Sequence, residues 1–160
     1  MIDTHCHLEM TEFDEDRDKV IQRARDAGIE AVITVGSDLK GNIGSLRLSE
    51  KYDFIYSSVG IHPHDAKDFT EEIYQQIRTW ASSLPKVVAI GETGLDYHYD
   101  NSPRDVQKEV FKKHLLLAKE LELPVIIHSR EAKKDTLEIL GDSGINRGVL
   151  HCFSGDMDMA

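Results

Sequence analysis

The sequence predicts an α/β protein that forms part of a (β/α)8 TIM barrel, with about six βα units in a single domain over residues 1–160. Apolar and amphipathic segments alternate along the chain, which is typical of βα units. The apolar segments are near-continuous Val/Ile/Ala runs, as in parallel strands buried on both faces. Side chains that can bind metal follow several of these runs, as in barrels whose sites lie at the strand C-termini. The competing architecture is an open doubly wound sheet, but no Gly-x-Gly-x-x-Gly follows the first strand.

The apolar runs define the strands. Each is four to eight or so residues long and is bounded by polar or turn-forming residues, which favours a strand over a helix. The six predicted strands are residues 2–7, 31–36, 54–61, 87–91, 124–128 and 148–152.

The helices are predicted from apolar residues at helical spacing and from residues that begin or end helices. Gly28 suits the C-terminal cap of the first helix, Thr70 can cap the third, and Pro103 suits the first position of the fourth. Pro85 is expected to end the third helix and Gly141 the fifth. The five predicted helices are residues 14–27, 39–51, 71–84, 103–121 and 131–140.

Six strands are fewer than the eight that close a barrel. An open barrel leaves unpaired edges and an uncovered core. We therefore expect the chain to be the N-terminal part of a barrel that lacks the last two strands, or a fold that closes differently.

Composition and charge restrict the function. The net charge of −10 argues against a broad, non-specific nucleic-acid surface. It does not exclude a polyanionic substrate, because bound divalent cations can supply local positive charge. No apolar run approaches the ~20 residues of a membrane span, and no secretory signal is visible. Cys6 and Cys152 are expected to be reduced thiols packed in the core, and the expected location is cytoplasmic.

Five residues at strand ends form a candidate metal site. His5 and His7 lie two residues apart on the first strand and so share a face. Glu92, His128 and His151 each close a later apolar run. Neutral imidazoles and carboxylates bind Zn²⁺, Mn²⁺ and similar ions. We expect His5 and His7 to bind one ion, His128 and His151 to bind a second, and Glu92 to bridge the two.

Two adjacent divalent cations point to metal-assisted hydrolysis, because they acidify a bound water and polarise the bond that it attacks. The ligands alone do not distinguish a phosphodiester from a small ester, lactone or amide. A third hypothesis is an inactive, truncated fragment that binds metal or pairs its open strand edges with a partner.

Other polar residues near the strand ends are candidate substrate contacts. His62 and His64 end the third strand and can donate to a phosphate, although a solvated turn is an equally good interpretation. His98 occupies a similar place after the fourth strand. Arg130 is the best candidate for a phosphate or carboxylate clamp because of its forked guanidinium. His114 lies among leucines in a helix and is expected to be structural.

Five short motifs occur in order along the chain. They are Asp3-Thr-His-Cys-His-Leu8, Gly60-Ile-His-Pro-His64, Gly91-Glu-Thr-Gly-Leu-Asp96, Ile127-His-Ser-Arg130 and His151-Cys-Phe-Ser-Gly155. This series resembles the TatD family of metal-dependent deoxyribonucleases, within the amidohydrolase-like barrels.

The resemblance implies a TIM barrel, a two-metal site and hydrolysis of DNA phosphodiester bonds, commonly as a 3′→5′ exonuclease on single strands. It implies the same five metal ligands, with Glu92 bridging and taking part in catalysis, and a role for His62 or His64 in holding the phosphate. The family is usually Mg²⁺-dependent, whereas this ligand set is softer and suits Mn²⁺ or Zn²⁺ as well. The family places a further metal-binding aspartate at the end of its eighth strand, and we expect this chain to end before that position.

Overall fold

The computed structural model describes residues 1–159, in which six β-strands alternate with five α-helices. The strands are β1 (Ile2–Cys6), β2 (Ala31–Val35), β3 (Ile55–Val59), β4 (Val87–Asp96), β5 (Val125–Arg130) and β6 (Gly148–Leu150). The helices are α1 (Arg17–Asp26), α2 (Leu39–Lys51), α3 (Glu71–Ser83), α4 (Arg104–Glu120) and α5 (Lys133–Ser143). Short 3₁₀ helices cover Thr11–Phe13 and Pro63–Asp68.

The strand order identifies the architecture. All six strands are parallel, and each pairs with the next one along the chain, in the order β1-β2-β3-β4-β5-β6. A doubly wound sheet reverses its order at a switch point, and this sheet does not. Within residues 1–159 the two outer strands do not pair with each other. The fold is therefore an open half-barrel, which confirms the predicted class, and all strand C-termini lie at one end.

Helices cover the outer face of the sheet. The largest apolar cluster packs α3 and α4 against β3, β4 and β5, with Ile77 and Phe111 fully buried and Trp80 packed against it. Phe111 is therefore a core residue, whereas Trp80 is partly buried against the core. No helix in residues 1–159 has the length and apolarity needed to cross a bilayer.

Alternation along β5 shows which side chains face inward. Val125 and Ile127 pack in the outer cluster, whereas Ile126 packs with Val35 in a small separate cluster on the other face. His128 follows Ile126 by two residues and therefore lies on the inner face. The strand thus directs its candidate ligand into the barrel.

The two edge strands are more exposed than predicted. Ile2 in β1 is 60% exposed and Val149 in β6 is 51% exposed. Full burial requires a neighbouring strand on both sides, and within residues 1–159 each of these strands has only one. The central strands β2 to β5 are largely buried, as predicted.

The first helix starts later than predicted. The guanidinium of Arg17 donates to the carbonyls of Leu8 and Met10, at 2.6 and 2.7 Å. These bonds fix the acidic segment before α1 as turns and a 3₁₀ helix. Residues 14–16, predicted as the start of the first helix, are therefore part of this loop.

Two other helix ends differ from prediction for backbone reasons. Pro103 is extended and caps α4 from outside, so the first helical residue is Arg104. The last helix passes through Gly141 and ends at Gly144, whose φ of +68° makes it the left-handed cap. A glycine is tolerated within a helix, and only the one with positive φ ends it.

The central strand β4 was predicted to end at residue 91, but it continues to Asp96. Gly91 and Gly94 have φ values of +127° and +142°. A Cβ on Gly91 would lie 2.4 Å from the carbonyl oxygen of Ile126, and one on Gly94 would lie 2.0 Å from that of His128. These glycines resemble strand terminators in the sequence, but here they allow β4 to lie against β5.

Candidate metal centre

His5 and His7 project to the same side at the end of β1. Their Nε2 atoms are 3.3 Å apart. Nε2 of His5 is 3.3 Å from Oε2 of Glu92, and Nε2 of His7 is 3.8 Å from the same oxygen. Nδ1 of His5 is buried and has no hydrogen-bond partner among residues 1–159. Two imidazoles and a carboxylate oxygen therefore converge on one point.

Glu9 was not predicted to be part of the site, but it contacts Nδ1 of His7, the ring nitrogen other than the one that faces Glu92. Oε1 of Glu9 is 3.2 Å from Nδ1 of His7, and its Oε2 accepts from the Thr34 hydroxyl at 2.7 Å. The carbonyl of Val35 lies 2.9 Å from the same Nδ1. These acceptors favour a proton on Nδ1, which leaves Nε2 free to bind a cation. The hydrogen bond with Glu9 raises the pKa of His7. In the sequence Glu9 follows His7 by two residues, but it lies in the turn after β1 and not in the strand.

Glu92 lies at the centre of the site. Its side chain is only 5% exposed. Oε2 faces His5, whereas Oε1 lies 3.1 Å from Nδ1 of His128 and 3.9 Å from Nε2 of His62. Burial raises the pKa of Glu92, but hydrogen bonds from His128 and His5 outweigh it and hold the pKa well below its usual range. The two oxygens of one ionised carboxylate therefore face two different groups of histidines.

Asp96 is a second buried acid that was not assigned to the site. Its Oδ2 lies 3.0 Å from Nε2 of both His128 and His64. Its Oδ1 accepts from the backbone N–H groups of His98 and Tyr99, at 3.0 and 2.9 Å. Burial raises the pKa of Asp96, but the Tyr99 N–H and the two histidines lower it overall, to about 2. In the sequence Asp96 follows Glu92 by four residues, which places both on the same face of β4. The predicted strand ended at residue 91 and therefore did not include Asp96.

His62 lies deeper than predicted. Its ring centroid is 4.4 Å from that of His128, and its side chain is only 13% exposed. Burial, with the nearby charge of His128, lowers the pKa of His62 to about 3. The ring is therefore neutral, and its Nδ1 accepts from the backbone N–H of His64 at 3.2 Å. His62 was predicted to contact substrate, and the structure places it among the candidate ligands.

The loop that carries His62 is fixed at several points. The side-chain amide of Asn42 donates to the carbonyl of Gly60 at 2.9 Å and accepts from its N–H at 3.0 Å. The Ile61 N–H donates to Nε2 of buried His114 at 3.2 Å. Nδ1 of His114 lies 2.8 Å from a carbonyl of its own helix, and burial lowers the pKa of His114 to about 4. His114 is structural, as predicted, and it holds the loop in place.

His151 lies beside His5. Their rings stack with centroids 3.3 Å apart and an interplanar angle of 8°. The backbone N–H of His151 donates to the carbonyl of Ile127 at 2.9 Å, which continues the pairing of β6 with β5. The outer strands β1 and β6 therefore bring His5 and His151 into contact at the same end of the half-barrel.

The donor atoms form two groups that share one carboxylate. Within each group they lie within 4.8 Å of one another. The groups are His5, Glu92 and His151, and His62, Glu92 and His128. This division differs from the predicted one, because His151 lies with His5 and not with His128. Each group offers two nitrogens and an oxygen, a donor set that suits a divalent transition ion.

The three other predicted substrate contacts lie around the mouth of the site. His64 bonds to Asp96, as described above. His98 pairs with exposed Glu131, its Nδ1 2.8 Å from the carboxylate. Arg130 is exposed, and its guanidinium carbon lies 4.9 Å from the ring centre of Tyr99. These residues are near the ligands but outside both groups.

Both cysteines are free, but only one is packed as predicted. Cys6 is partly buried, its thiol donates to the carbonyl of Ile33 at 3.5 Å, and burial raises its pKa to about 12. Cys152 is exposed, because β6 ends at Leu150 and the chain turns there with a φ of +45°. The prediction of two core thiols is therefore wrong for Cys152.

This sequence is similar to those of known proteins. A sequence model of the family described as "TatD related DNase" matches residues 2–160. "Uncharacterized metal-dependent hydrolase YabD" of Bacillus subtilis is 46% identical, over 100% of this chain and 63% of the relative. "3'-5' ssDNA/RNA exonuclease TatD" of a Rahnella species is 38% identical, over 97% of this chain and 60% of the relative. The chain thus spans less than two thirds of these curated relatives.

A solved structure shares the fold as well. The crystal structure of YJJV, a TatD homolog from Escherichia coli, matches 100% of this chain and 62% of its own, with a TM-score of 0.92 and 33% identity. The sequence match and the structural match both extend over the half-barrel and its histidines. The chain belongs to the TatD-related DNase family, as its five motifs indicated.

Proposed function

We propose that this chain provides the metal-binding half of a metal-dependent hydrolase that cleaves phosphodiester bonds in single-stranded DNA from the 3′ end. Family membership supports metal-dependent hydrolysis. The name of the Rahnella relative, an exonuclease of single-stranded DNA and RNA, supports the substrate and direction. We further propose that residues 1–160 belong to one hydrolase domain. A cytoplasmic location is also proposed, supported by two free cysteines.

Two divalent ions would be held by the two groups of donors. His5, His151 and Glu92 would hold one, with His7 beside them, and His62, His128 and Glu92 would hold the other. Mn²⁺ or Zn²⁺ suits these nitrogen-rich sets better than Mg²⁺, which prefers oxygen ligands. When bound, such ions supply an acidified water and polarise the phosphoryl group.

The chain's own residues prepare the site. Ionised Glu92 would compensate the charge of a cation bound in either group, since each of its oxygens faces one group. Asp96 orients His128, and Glu9 orients His7, each through a hydrogen bond to a ring nitrogen. His64, which bonds to Asp96 and has a partly exposed side chain, would contact a phosphate oxygen.

The position of Glu92 is the observation that supports this function most strongly. A buried carboxylate whose two oxygens face separate pairs of histidines is expected of a bridging ligand, whereas a single-ion site needs only one oxygen.

The test is cleavage of a 5′-labelled single-stranded oligonucleotide with Mn²⁺, Zn²⁺ or Mg²⁺. We expect stepwise shortening from the 3′ end, suppression by chelator, and loss of activity in Glu92→Gln. Glu109→Gln, at an exposed position on α4, is the matched control and should behave as wild type. No shortening with any of these ions would overturn the nuclease proposal, and turnover of a lactone or ester panel instead would favour a small-molecule hydrolase.

A further inference from the structure

Tyr99 is an exposed aromatic residue at the mouth of the metal centre. The residue is 55% exposed. Its ring meets that of His64 edge-on, with centroids 5.4 Å apart and an interplanar angle of 89°. The ring of His64 is in turn 6.3 Å from that of His128, a candidate ligand. Two successive ring contacts therefore connect Tyr99 with the ligands.

The position of Tyr99 is fixed by the same acid that orients the histidines. Oδ1 of Asp96 accepts from the Tyr99 N–H at 2.9 Å, whereas Oδ2 faces His128 and His64. Asp100 follows with a φ of +49° and pairs with Arg104, which turns the chain away. Tyr99 thus lies on an ordered turn, so its ring is presented at little additional entropic cost.

Arg130 completes the arrangement. Its guanidinium carbon lies 4.9 Å from the centre of the Tyr99 ring, in a cation–π contact. Arg130 takes no part in the carboxylate ion pairs found among residues 1–159, whereas Arg17, Arg78 and Arg104 all do. The chain has a net charge of −10, yet here an exposed guanidinium without a carboxylate partner lies beside an exposed ring. Such a pair suits a nucleotide, since the ring can stack on the base and the guanidinium can bind the phosphate.

We propose that Tyr99, backed by Arg130, is a stacking platform for a nucleobase next to the scissile phosphate. Single-stranded nucleic acids expose their bases, and proteins bind these by stacking on aromatic rings and guanidinium planes. Double-stranded ends have paired bases and would not fit. The platform therefore explains a preference for single strands, and it rests on the proposed phosphodiesterase function.

The experiment uses an oligonucleotide with 2-aminopurine at its 3′ nucleotide and a terminal phosphorothioate that resists cleavage. Stacking on an aromatic ring quenches the fluorescence of 2-aminopurine. We expect quenching with wild type and with Tyr99→Phe, and none with Tyr99→Ala, which should bind about tenfold more weakly, the change that ~1.4 kcal/mol of stacking produces. Leu116→Ala, which shortens an exposed apolar side chain on α4, is the control and should resemble wild type.

An oligonucleotide with an abasic 3′ end separates base from backbone binding. Wild type and Tyr99→Ala should bind it equally. Equal quenching by wild type and Tyr99→Ala, or no quenching by wild type, would overturn the platform. These outcomes separate the platform from the proposed function. Quenching without metal-dependent cleavage would refute the nuclease function but support the base-binding site. Cleavage that Tyr99→Ala leaves unchanged would refute the base-binding site but support the nuclease function.

Discussion

Oδ2 of Asp96 lies 3.0 Å from Nε2 of His128. The other ring nitrogen of His128 faces Glu92 at 3.1 Å. A neutral imidazole has one proton, so with a cation bound, a proton held on Nε2 by Asp96 would leave the lone pair of Nδ1 for the cation beside Glu92. Asp96 thereby determines which nitrogen is available to a cation.

Replacing Asp96 with Asn should weaken metal binding without removing a ligand. The amide keeps the shape of the carboxyl and can still accept from the loop N–H groups, but its NH₂ would donate to Nε2 of His128 and reverse the tautomer. We expect a loss of about 10- to 100-fold in affinity for one ion, as for other groups that orient ligands. Titration calorimetry with Mn²⁺ measures this, and exposed Asp142→Asn is the control. Unchanged affinities would show that Asp96 does not orient His128.

The two groups of donors predict separable metal affinities. His5→Ala should weaken one site and His128→Ala the other, because each removes a nitrogen from only one group. Glu92→Gln should weaken both, since each oxygen of the carboxylate belongs to a different group. Calorimetric stoichiometry, with variants checked for retained fold by circular dichroism, gives the comparison. If His5→Ala and His128→Ala affected the same site, the division into two groups would be wrong.

Much of this site was predictable from strand order. Apolar runs located six strands, and parallel strands bring their C-terminal ends together, so residues as distant as His5 and His151 could be assigned to one site. The residue-by-residue arrangement was not predictable, because it depends on how strongly the sheet curves. Curvature brings His151 over His5, and the glycines of β4 extend that strand to Asp96. Sequence patterns show which face a side chain takes, but not how closely two strands approach.

Two glycine substitutions test the role of β4. A Cβ on Gly94 would lie 2.0 Å from the carbonyl oxygen of His128, at a φ of +142° that other residues rarely adopt. Gly94→Ala should therefore cost more than about 3 kcal/mol in the free energy of unfolding, or prevent folding. Gly141→Ala is the matched control, because its Cβ would meet nothing within 4 Å and lies inside α5. It should stabilise by about 0.5–1 kcal/mol. Urea denaturation measures both, and equal effects would refute the close approach of β4 to β5.

His114 should make stability depend on pH. Burial lowers its pKa from 6.5 to about 4 in the folded chain, so between these values the unfolded chain binds more protons. The free energy of unfolding therefore falls as pH decreases through this window, by ~1.4 kcal/mol per pH unit and up to about 3 kcal/mol in all. At neutral pH, where the group is uncharged in both states, this contribution is fully present.

His114→Gln isolates this contribution from the other titrating groups. The variant should lose about 1 kcal/mol at pH 7, because the Gln amide can accept from the Ile61 N–H but cannot also reach the Val110 carbonyl from the position of Nδ1. Its difference from wild type should shrink as the pH falls toward 4, since the variant has no buried imidazole to protonate. Urea denaturation at several pH values measures this difference. Proton NMR of the wild-type ring provides a check that needs no variant, and a His114 pKa close to 6.5 would contradict the buried, neutral imidazole.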